Sequence, residues 1–516
     1  MPIDRRTLIR SAGQLAIIGG LSPAPLLARP LGANPFMLGV ASGDPWPDGF
    51  VIWTRLAPSP LDEHGGMPPL SVPVSWEVAE DDRFGAVIRK GVAIAQPELG
   101  HSVHIEVDGL RPGRYYWYRF HVHGSDTSRT GMARTAPAAD TLAERLRIAV
   151  AGCQHWEHGY FDGWGHLARE NDLDLVFHYG DYIYEGAAKP LGERAVRQHA
   201  GYEIYSLDDY RRRYAQYKSD AHLQAAHAAC AFAVSFDDHE VDNNWAGNLD
   251  QDGTREDLFL LRRAAAFQAW YEHMPVRRTQ FPRGGSIQAF RRLDFGRLLR
   301  MHVLDTRQYR SDQPCNDGKI RPCPKEAHLS PTMLGAVQEN WLDEGLDNGA
   351  AWNLLAQQVL VMPYARHSPG EPESWTSYDT WDGYRPARER LIDTFTRHDL
   401  KNVVIVSGDF HRNFAGVVPE REDVPEGKAV AVEFLATSMT SNGDSKPIPE
   451  IERDRAANPH MQLINDARGY HVHDIEPTSW NTSVREISRV SAPGGTLQTS
   501  ARFSVAPDAP ILRREA

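Results

Sequence analysis

Residues 175–185, Leu-Val-Phe-His-Tyr-Gly-Asp-Tyr-Ile-Tyr-Glu, decide how this chain is read. An apolar strand, Leu175 to His178, runs directly into the polar pair Gly180-Asp181. The same arrangement recurs on both sides of it. Ile148 to Ala151 precedes Gly152-Cys153, and Phe232 to Phe236 precedes Asp237-Asp238-His239-Glu240. Leu299 to Leu304 precedes Asp305-Thr306-Arg307, and Leu354 to Ala356 precedes Gln357-Gln358. Val403 to Val406 leads to Gly408-Asp409-Phe410-His411, and Val432 to Ala436 leads to Thr437-Ser438. Helical stretches alternate with these strands, which predicts a layered α/β region. In such folds ligands gather at the carboxyl ends of strands, where loops converge and backbone groups are free.

Upstream of that region the texture changes. From about Asn34 to Pro137 short strands with turn signals predominate, such as Phe50 to Thr54, Val72 to Trp76, Ser102 to Val107 and Tyr115 to Phe120. A small β-sandwich is the natural reading. Gly109-Leu110-Arg111-Pro112-Gly113 before the aromatic strand is similar to the strand-end tyrosine arrangement of fibronectin type III domains. A linker rich in Ala, Pro and Thr, Thr135 to Thr141, separates the two textures. The expected division is a signal segment over 1–33, a sandwich over 34–137 and a catalytic region over 145–516.

The bulk numbers narrow the function. Lys and Arg number 56 against 68 Asp and Glu, a formal charge of −12 over 516 residues, so a large basic face for duplex nucleic acid or anionic lipid is not expected. The 41% hydrophobic content is ample for one large and one smaller core. Four cysteines exclude a disulfide-built scaffold. Cys315 and Cys323, in a loop bearing Pro, Gly and Asp, are the one plausible local pair. A bridge there implies an oxidising compartment; two free loop thiols or a stray metal clip are the alternatives.

At the N-terminus, Asp4-Arg5-Arg6-Thr7-Leu8-Ile9-Arg10 precedes a weakly apolar stretch from Ser11 to about Ala28, the pattern of a twin-arginine export signal. Gly13, Gly19, Gly20, Pro23 and Pro25 break it too often for the roughly 20 apolar residues of a membrane span. A disordered basic tail is the alternative. The export reading predicts a periplasmic or secreted protein that engages the twin-arginine machinery, and a monomer is the expectation.

Carboxylates, imidazoles and a thiolate delivered to one rim form a ligand set for hard to intermediate metal ions. Two adjacent cations suit phosphate esters, because they bind phosphoryl oxygens and activate water. Singly, each residue has a bland explanation: Asp181 could cap a turn, Cys153 could be a small buried apolar group, and His239 could join a surface ion network. Their occurrence together at successive strand ends overrides that.

Gly180-Asp181-Tyr182-Ile183-Tyr184-Glu185, Phe236 to Asn244, Leu304-Asp305-Thr306-Arg307-Gln308-Tyr309-Arg310 and Ser407-Gly408-Asp409-Phe410-His411 resemble the signature blocks of PhoD-type alkaline phosphatases. The resemblance extends to Leu38-Gly39-Val40-Ala41-Ser42-Gly43-Asp44-Pro45. It implies a four-layer metallophosphoesterase-type β-sheet sandwich flanked by helices, α/β (α+β) in class, behind a fibronectin-III-like β-sandwich. Against the broader calcineurin-like pattern, Cys153 stands where an aspartate is usual, Asp238 where an asparagine is, and Asp409 where a histidine is. The resemblance further implies that Asp181 bridges two metals, with His411 and Cys153 on the first and Asp238 and Asp409 on the second. Ferric iron (Fe3+) and calcium (Ca2+) are the implied ions.

A tyrosine phenolate is implied as the remaining iron ligand. Tyr210 is the expected one and Tyr214 the fallback, although Tyr210, Tyr214 and Tyr217 also lie at the spacing of a packed helical stripe behind a Ser206–Asp209 capping box. The resemblance places His239 to protonate a leaving alkoxide or hold a phosphoryl oxygen, roles its near-neutral imidazole suits. Arg307 is a candidate phosphate clamp, or else a partner of Asp305. Asn244 and Gln358 read as structural rim residues. The expected reaction is hydrolysis of a phosphate ester by a metal-bound hydroxide, on monoesters or diesters. The rival from another class is an exported phosphate- or metal-binding protein without turnover.

Overall fold

The computed structural model describes residues 33–122, 126–192, 195–318, 323 and 331–515. The proposed signal segment, with Arg5 and Arg6, lies outside these residues. Two large sheets form the centre of the molecule. The first holds ten strands, with Leu146–Ala151, Leu175–His178, Ala231–Val234 and Val40–Trp46 running parallel in its middle. The second holds seven, with Leu299–Val303, Trp352–Ala356, Val403–Ser407 and Ala429–Leu435 running parallel.

Alternation along each strand makes the layers. Ile148 and Val150 point into the same core as Leu354, Ala356, Val404 and Val406, between the sheets. Their neighbours Ala149 and Ala151 face outwards into a core shared with Trp164, Tyr214 and Phe267 on the helices Asp162–Leu167, Leu207–Lys218 and Glu256–His273. On the far side Leu355, Val403 and Ile405 pack with Leu342 and Leu391 of the helices Gly335–Gly345 and Arg385–Arg397. A period of two in strands buried on both faces therefore builds four layers, as expected.

The N-terminal sandwich is less separate than its composition suggests. Val40–Trp46, Gly49–Arg55 and Ser102–Val107 are the last strands of the ten-stranded sheet, joined to it through the parallel pair Ser42 and Ala231. Only Val72–Ala79, Val87–Ala95, Tyr115–Val122, Asp126–Thr127 and Gly131–Arg134 form a sheet of their own. The two faces bury Phe50, Ile52, Val74, Val78 and Phe120 in one core continuous with the space between the large sheets. The strand-end tyrosine is present: Tyr116 Oη accepts from Arg111 N at 2.9 Å. The expected boundary at 137 therefore divides the chain's texture while the sheet runs across it.

A buried ion pair locks this junction. Asp44 receives Arg291 Nη2 at 2.7 Å and Nε at 2.8 Å, and Arg291 also donates to Val234 O at 3.0 Å. One guanidinium thus ties the N-terminal strand, the central parallel strands and the edge of the second sheet together. Asp44→Ala leaves that cation buried without a carboxylate and is expected to cost about 3–5 kcal/mol in denaturant unfolding. A loss below about 1 kcal/mol would mean that the pair adds nothing beyond its surroundings.

Candidate active site

The carboxyl ends of both parallel sheets meet at one point, and the chain reaches it through strained turns. Cys153, Asp181, Asp409 and His411 all have positive φ, between 48° and 66°. Non-glycine residues adopt this region at a cost of order 1–3 kcal/mol, and such residues cluster where function requires it. Gly152 and Gly408 both lie against the Cδ2–Cε2–Cζ side of the Tyr179 ring, where a Cβ on either would collide. Tyr179 donates to Thr437 O at 2.9 Å, so a single ring spans the seam between the sheets.

Four donors converge beside that ring. Cys153 Sγ is 3.4 Å from Asp181 Oδ2, and the Tyr184 hydroxyl is 2.7 Å from the same oxygen. His411 Nε2 is 3.3 Å from the Tyr184 hydroxyl and 3.9 Å from Asp181 Oδ2. A second group, Asp181, Asp237, Asp238 and Asp409, brings four carboxylates within 4.8 Å of one another, and Asp181, Asp238 and His239 form a third. Asp181 belongs to all three.

The charges in this cluster are out of balance. Burial pushes the Cys153 thiol well up, and Asp181, Asp409 and Asp237 add to the effect. Burial also raises Asp181 to about 7, with Asp238 adding to it and His239 opposing. Asp237 rises to about 8, again chiefly from burial, against the pull of Arg307. Asp409 is pushed well above the carboxylate range by burial and by Asp237 and Asp379. Asp238 alone is held low: burial opposes its charge, but Arg307, His239 and the N–H of Asn244 outweigh it. Burial takes His411 down to about 3, so its ring is neutral and able to ligate. Asp181 Oδ1 and Asp238 Oδ1 are buried with no hydrogen-bond partner. Crowded acids, a buried thiol, a neutral imidazole and orphaned carboxylate oxygens are together what a cation-binding site requires.

The expected residues fall into place unevenly. Cys153, Asp181, Asp238, His239, Asp409 and His411 come together. Tyr210 does not: its hydroxyl donates to Val241 O at 2.5 Å and accepts from Arg262 Nε at 3.1 Å. Tyr210, Tyr214 and Tyr217 are fully buried against the outer face of the first sheet, behind the Ser206–Asp209 capping box, and form the packed stripe. Tyr184 stands at the cluster instead, three residues beyond Asp181 in the same strand-end turn. That short spacing was the overlooked signal.

Arg307 also differs from a phosphate clamp. Its Nε donates to Asp237, Nη1 to both oxygens of Asp379 at 2.8 and 2.9 Å, and Nη2 to Asp409 at 3.3 Å. From Arg307, Asp305 accepts only the backbone N–H, and it also accepts from the backbone and side chain of Gln308. The guanidinium is fully buried and engaged by carboxylates, so it balances charge within the cluster rather than reaching for a substrate. Asp379 was missed because its surroundings, Tyr378-Asp379-Thr380, carry no motif. It also receives Arg310 Nη2 and Gln313 Nε2, at 2.8 and 2.6 Å. Gln358 is wholly structural, bonded to Ser235, Thr306 and Leu304. Asn244 donates its N–H to Asp238 Oδ2 at 2.8 Å.

With this geometry in view, comparison places the chain among known proteins. The profile of the PhoD-like phosphatase family matches residues 148–484, and that of the PhoD-like phosphatase N-terminal domain matches 20–137. The chain belongs to the PhoD-like phosphatases. It is 43% identical to alkaline phosphatase D of Bacillus subtilis (strain 168), over 99% of this chain and 89% of the relative. The solved structure of PhoD superposes with a TM-score of 0.91 at 43% identity, covering 95% of this chain and 94% of that one. The protein is an enzyme that hydrolyses phosphate esters, and the reading as a binding protein without turnover is not supported.

Two outcomes follow from the charge imbalance. The folded, metal-free chain keeps protons on Asp181 and Asp237 up to about 7 and about 8, whereas the ordinary value is 3.8. Their folded pKa values are raised, so their contribution to stability is complete below the unfolded pKa and is lost as pH rises through that window. A cation displaces those protons, so the gap in melting temperature between metal-loaded and chelated protein is expected to widen from pH 5 to pH 8. A constant gap would show that these acids are not coupled to metal. Asp409→Asn removes one crowded acid while keeping a residue that tolerates positive φ. The chelated variant is expected to melt no lower than the chelated wild type. Its hydrolysis should fall by at least the roughly 10–100-fold that loss of an outer-shell partner costs.

Proposed function

We propose that the chain hydrolyses phosphate esters with two cations, ferric iron held by Cys153, Asp181, Tyr184 and His411, and calcium held by Asp181, Asp238 and Asp409. The observation that carries this reading is the pair of buried carboxylate oxygens on Asp181 and Asp238 that have no hydrogen-bond partner, at the meeting point of the donor groups. Thiolate and phenolate donors favour oxidised iron, and an all-carboxylate group favours a hard divalent ion. What such a pair of cations supplies when bound is Lewis acidity toward phosphoryl oxygens and activation of water near neutral pH.

The chain's own residues complete the chemistry. Asp181, common to every donor group, holds the two halves of the site together. His239 donates Nδ1–H to Glu185 Oε2 at 2.7 Å, leaving Nε2 as its free nitrogen. Burial opposes the charge of His239, but Glu185, Asp238 and Asp181 outweigh it and raise its pKa well above the usual value. A charged imidazole beside the carboxylates is suited to protonate the departing alkoxide. Arg307 acts as a positioning residue that offsets the charge of Asp237, Asp379 and Asp409.

The enzyme is read as exported through the twin-arginine pathway to the periplasm or beyond. The Cys315–Cys323 disulfide supports an oxidising compartment. Among the described residues no helix is long and apolar enough to cross a membrane. Purified wild-type protein is expected to carry iron, absorb visible light and turn over a chromogenic monoester or diester, and Cys153→Ala is expected to lose all three. A colourless, iron-free and fully active wild type would overturn the iron assignment. Undiminished activity in Cys153→Ala would remove the thiolate from the site.

A further inference from the structure

His411 turns Nε2 toward the cluster and Nδ1 away from it. Nδ1 lies 2.9 Å from Asn442 Nδ2, so as placed the amide presents its donor end to the ring, and accepting from Nδ1–H requires the amide turned over. An imidazole nitrogen that takes a cation must be unprotonated, so in a neutral His411 that ligates through Nε2 the proton resides on Nδ1. Nδ1–H then needs an acceptor. The two ends of an amide are alike in size, and the hydrogen bond decides which of them faces the ring. Only the carbonyl end of Asn442 can accept.

We propose that Asn442 is a positioning residue that sets the tautomer of His411, its Oδ1 accepting Nδ1–H so that Nε2 remains free for a cation. The inference rests on the reading that Cys153, Asp181, Tyr184 and His411 share an ion. Histidine ligands in proteins are regularly oriented by such an acceptor on the second nitrogen.

The segment carrying Asn442 is built for this role. Met439 N donates to Gly152 O at 2.9 Å, and Thr440 N and Ser441 N both reach Cys153 O, at 3.3 and 3.2 Å. The Ser441 hydroxyl donates to Cys153 O at 2.7 Å and lies 2.6 Å from the Tyr184 hydroxyl. Arg468 joins the two loops, donating to His411 O and Gly443 O at 2.7 Å each. Asn442 and Gly443 have φ of 70° and 73°, a left-handed pair that turns the amide back over His411. One short loop therefore contacts the backbone of Cys153, the hydroxyl of Tyr184 and the outer nitrogen of His411. Asn442 is itself exposed, so its side chain can be exchanged without opening a core.

The full chain, stripped with chelator and titrated with ferric citrate, tests this through the visible absorption band and the iron retained after gel filtration. Glycine suits a φ of 70°, so Asn442→Gly deletes the amide without backbone strain. Asn442→Asp keeps an acceptor and loses the donor. Asn442→Gly is expected to weaken iron binding about 10–100-fold with an unchanged unfolding midpoint of the chelated protein. Asn442→Asp is expected to bind iron as tightly as the wild type or more so. Wild-type affinity in Asn442→Gly, or equal loss in both variants, would overturn the proposal. A wild type that takes up no iron and shows no band would instead overturn the underlying site, which separates the two failures.

Discussion

Burying several carboxylates at one point between two sheets is the constraint on which the rest of this structure depends. Asp181, Asp237, Asp238 and Asp409 approach within 4.8 Å of one another, and the positive charge against them is Arg307 with His239. Like charges at that spacing cannot all remain ionised in a buried site, which is why three of the four acids hold protons far above their usual range. A cation held among them, as proposed, would resolve the conflict and offer a phosphate ester a counter-charge.

The scaffold serves that crowding directly. Both sheets end their parallel strands at the same rim, and Tyr179, fitted against Gly152 and Gly408, fixes how closely the two rims approach. Glu240 reinforces the arrangement, accepting the backbone N–H groups of Asp181, Tyr182 and Asp237 and so binding two neighbouring loops into one unit. Left-handed backbone at Cys153, Asp181, Asp409 and His411 then turns each side chain inward immediately after its strand. Strain of this kind persists only because the packed layers on either side overdetermine it.

The N-terminal region belongs to the same mechanical unit. Its first strands extend the catalytic sheet, and Asp44 reaches Arg291 on the second sheet. By pairing with Ala231–Val234, the N-terminal strand Val40–Trp46 keeps the strand that leads to Asp237, Asp238 and His239 in the interior of the sheet instead of at its edge.

Much of this was written locally. Apolar strand runs ending in Gly152-Cys153, Gly180-Asp181, Asp238-His239 or Gly408-Asp409-Phe410-His411 determined the layered fold and six of the clustered residues, because strand periodicity and strand-end chemistry are properties of neighbouring positions. The disulfide between Cys315 and Cys323 was legible for the same reason. Tertiary structure decided what depends on convergence of distant segments. It brought Tyr184 and not Tyr210 beside Asp181, a placement that helical spacing alone cannot reveal. It drew Arg307 inward to Asp379, a residue 72 positions away with no motif of its own. It also joined the N-terminal strands to the catalytic sheet, since a change in composition marks a change in local texture, whereas pairing between Ser42 and Ala231 is fixed only when the whole chain folds.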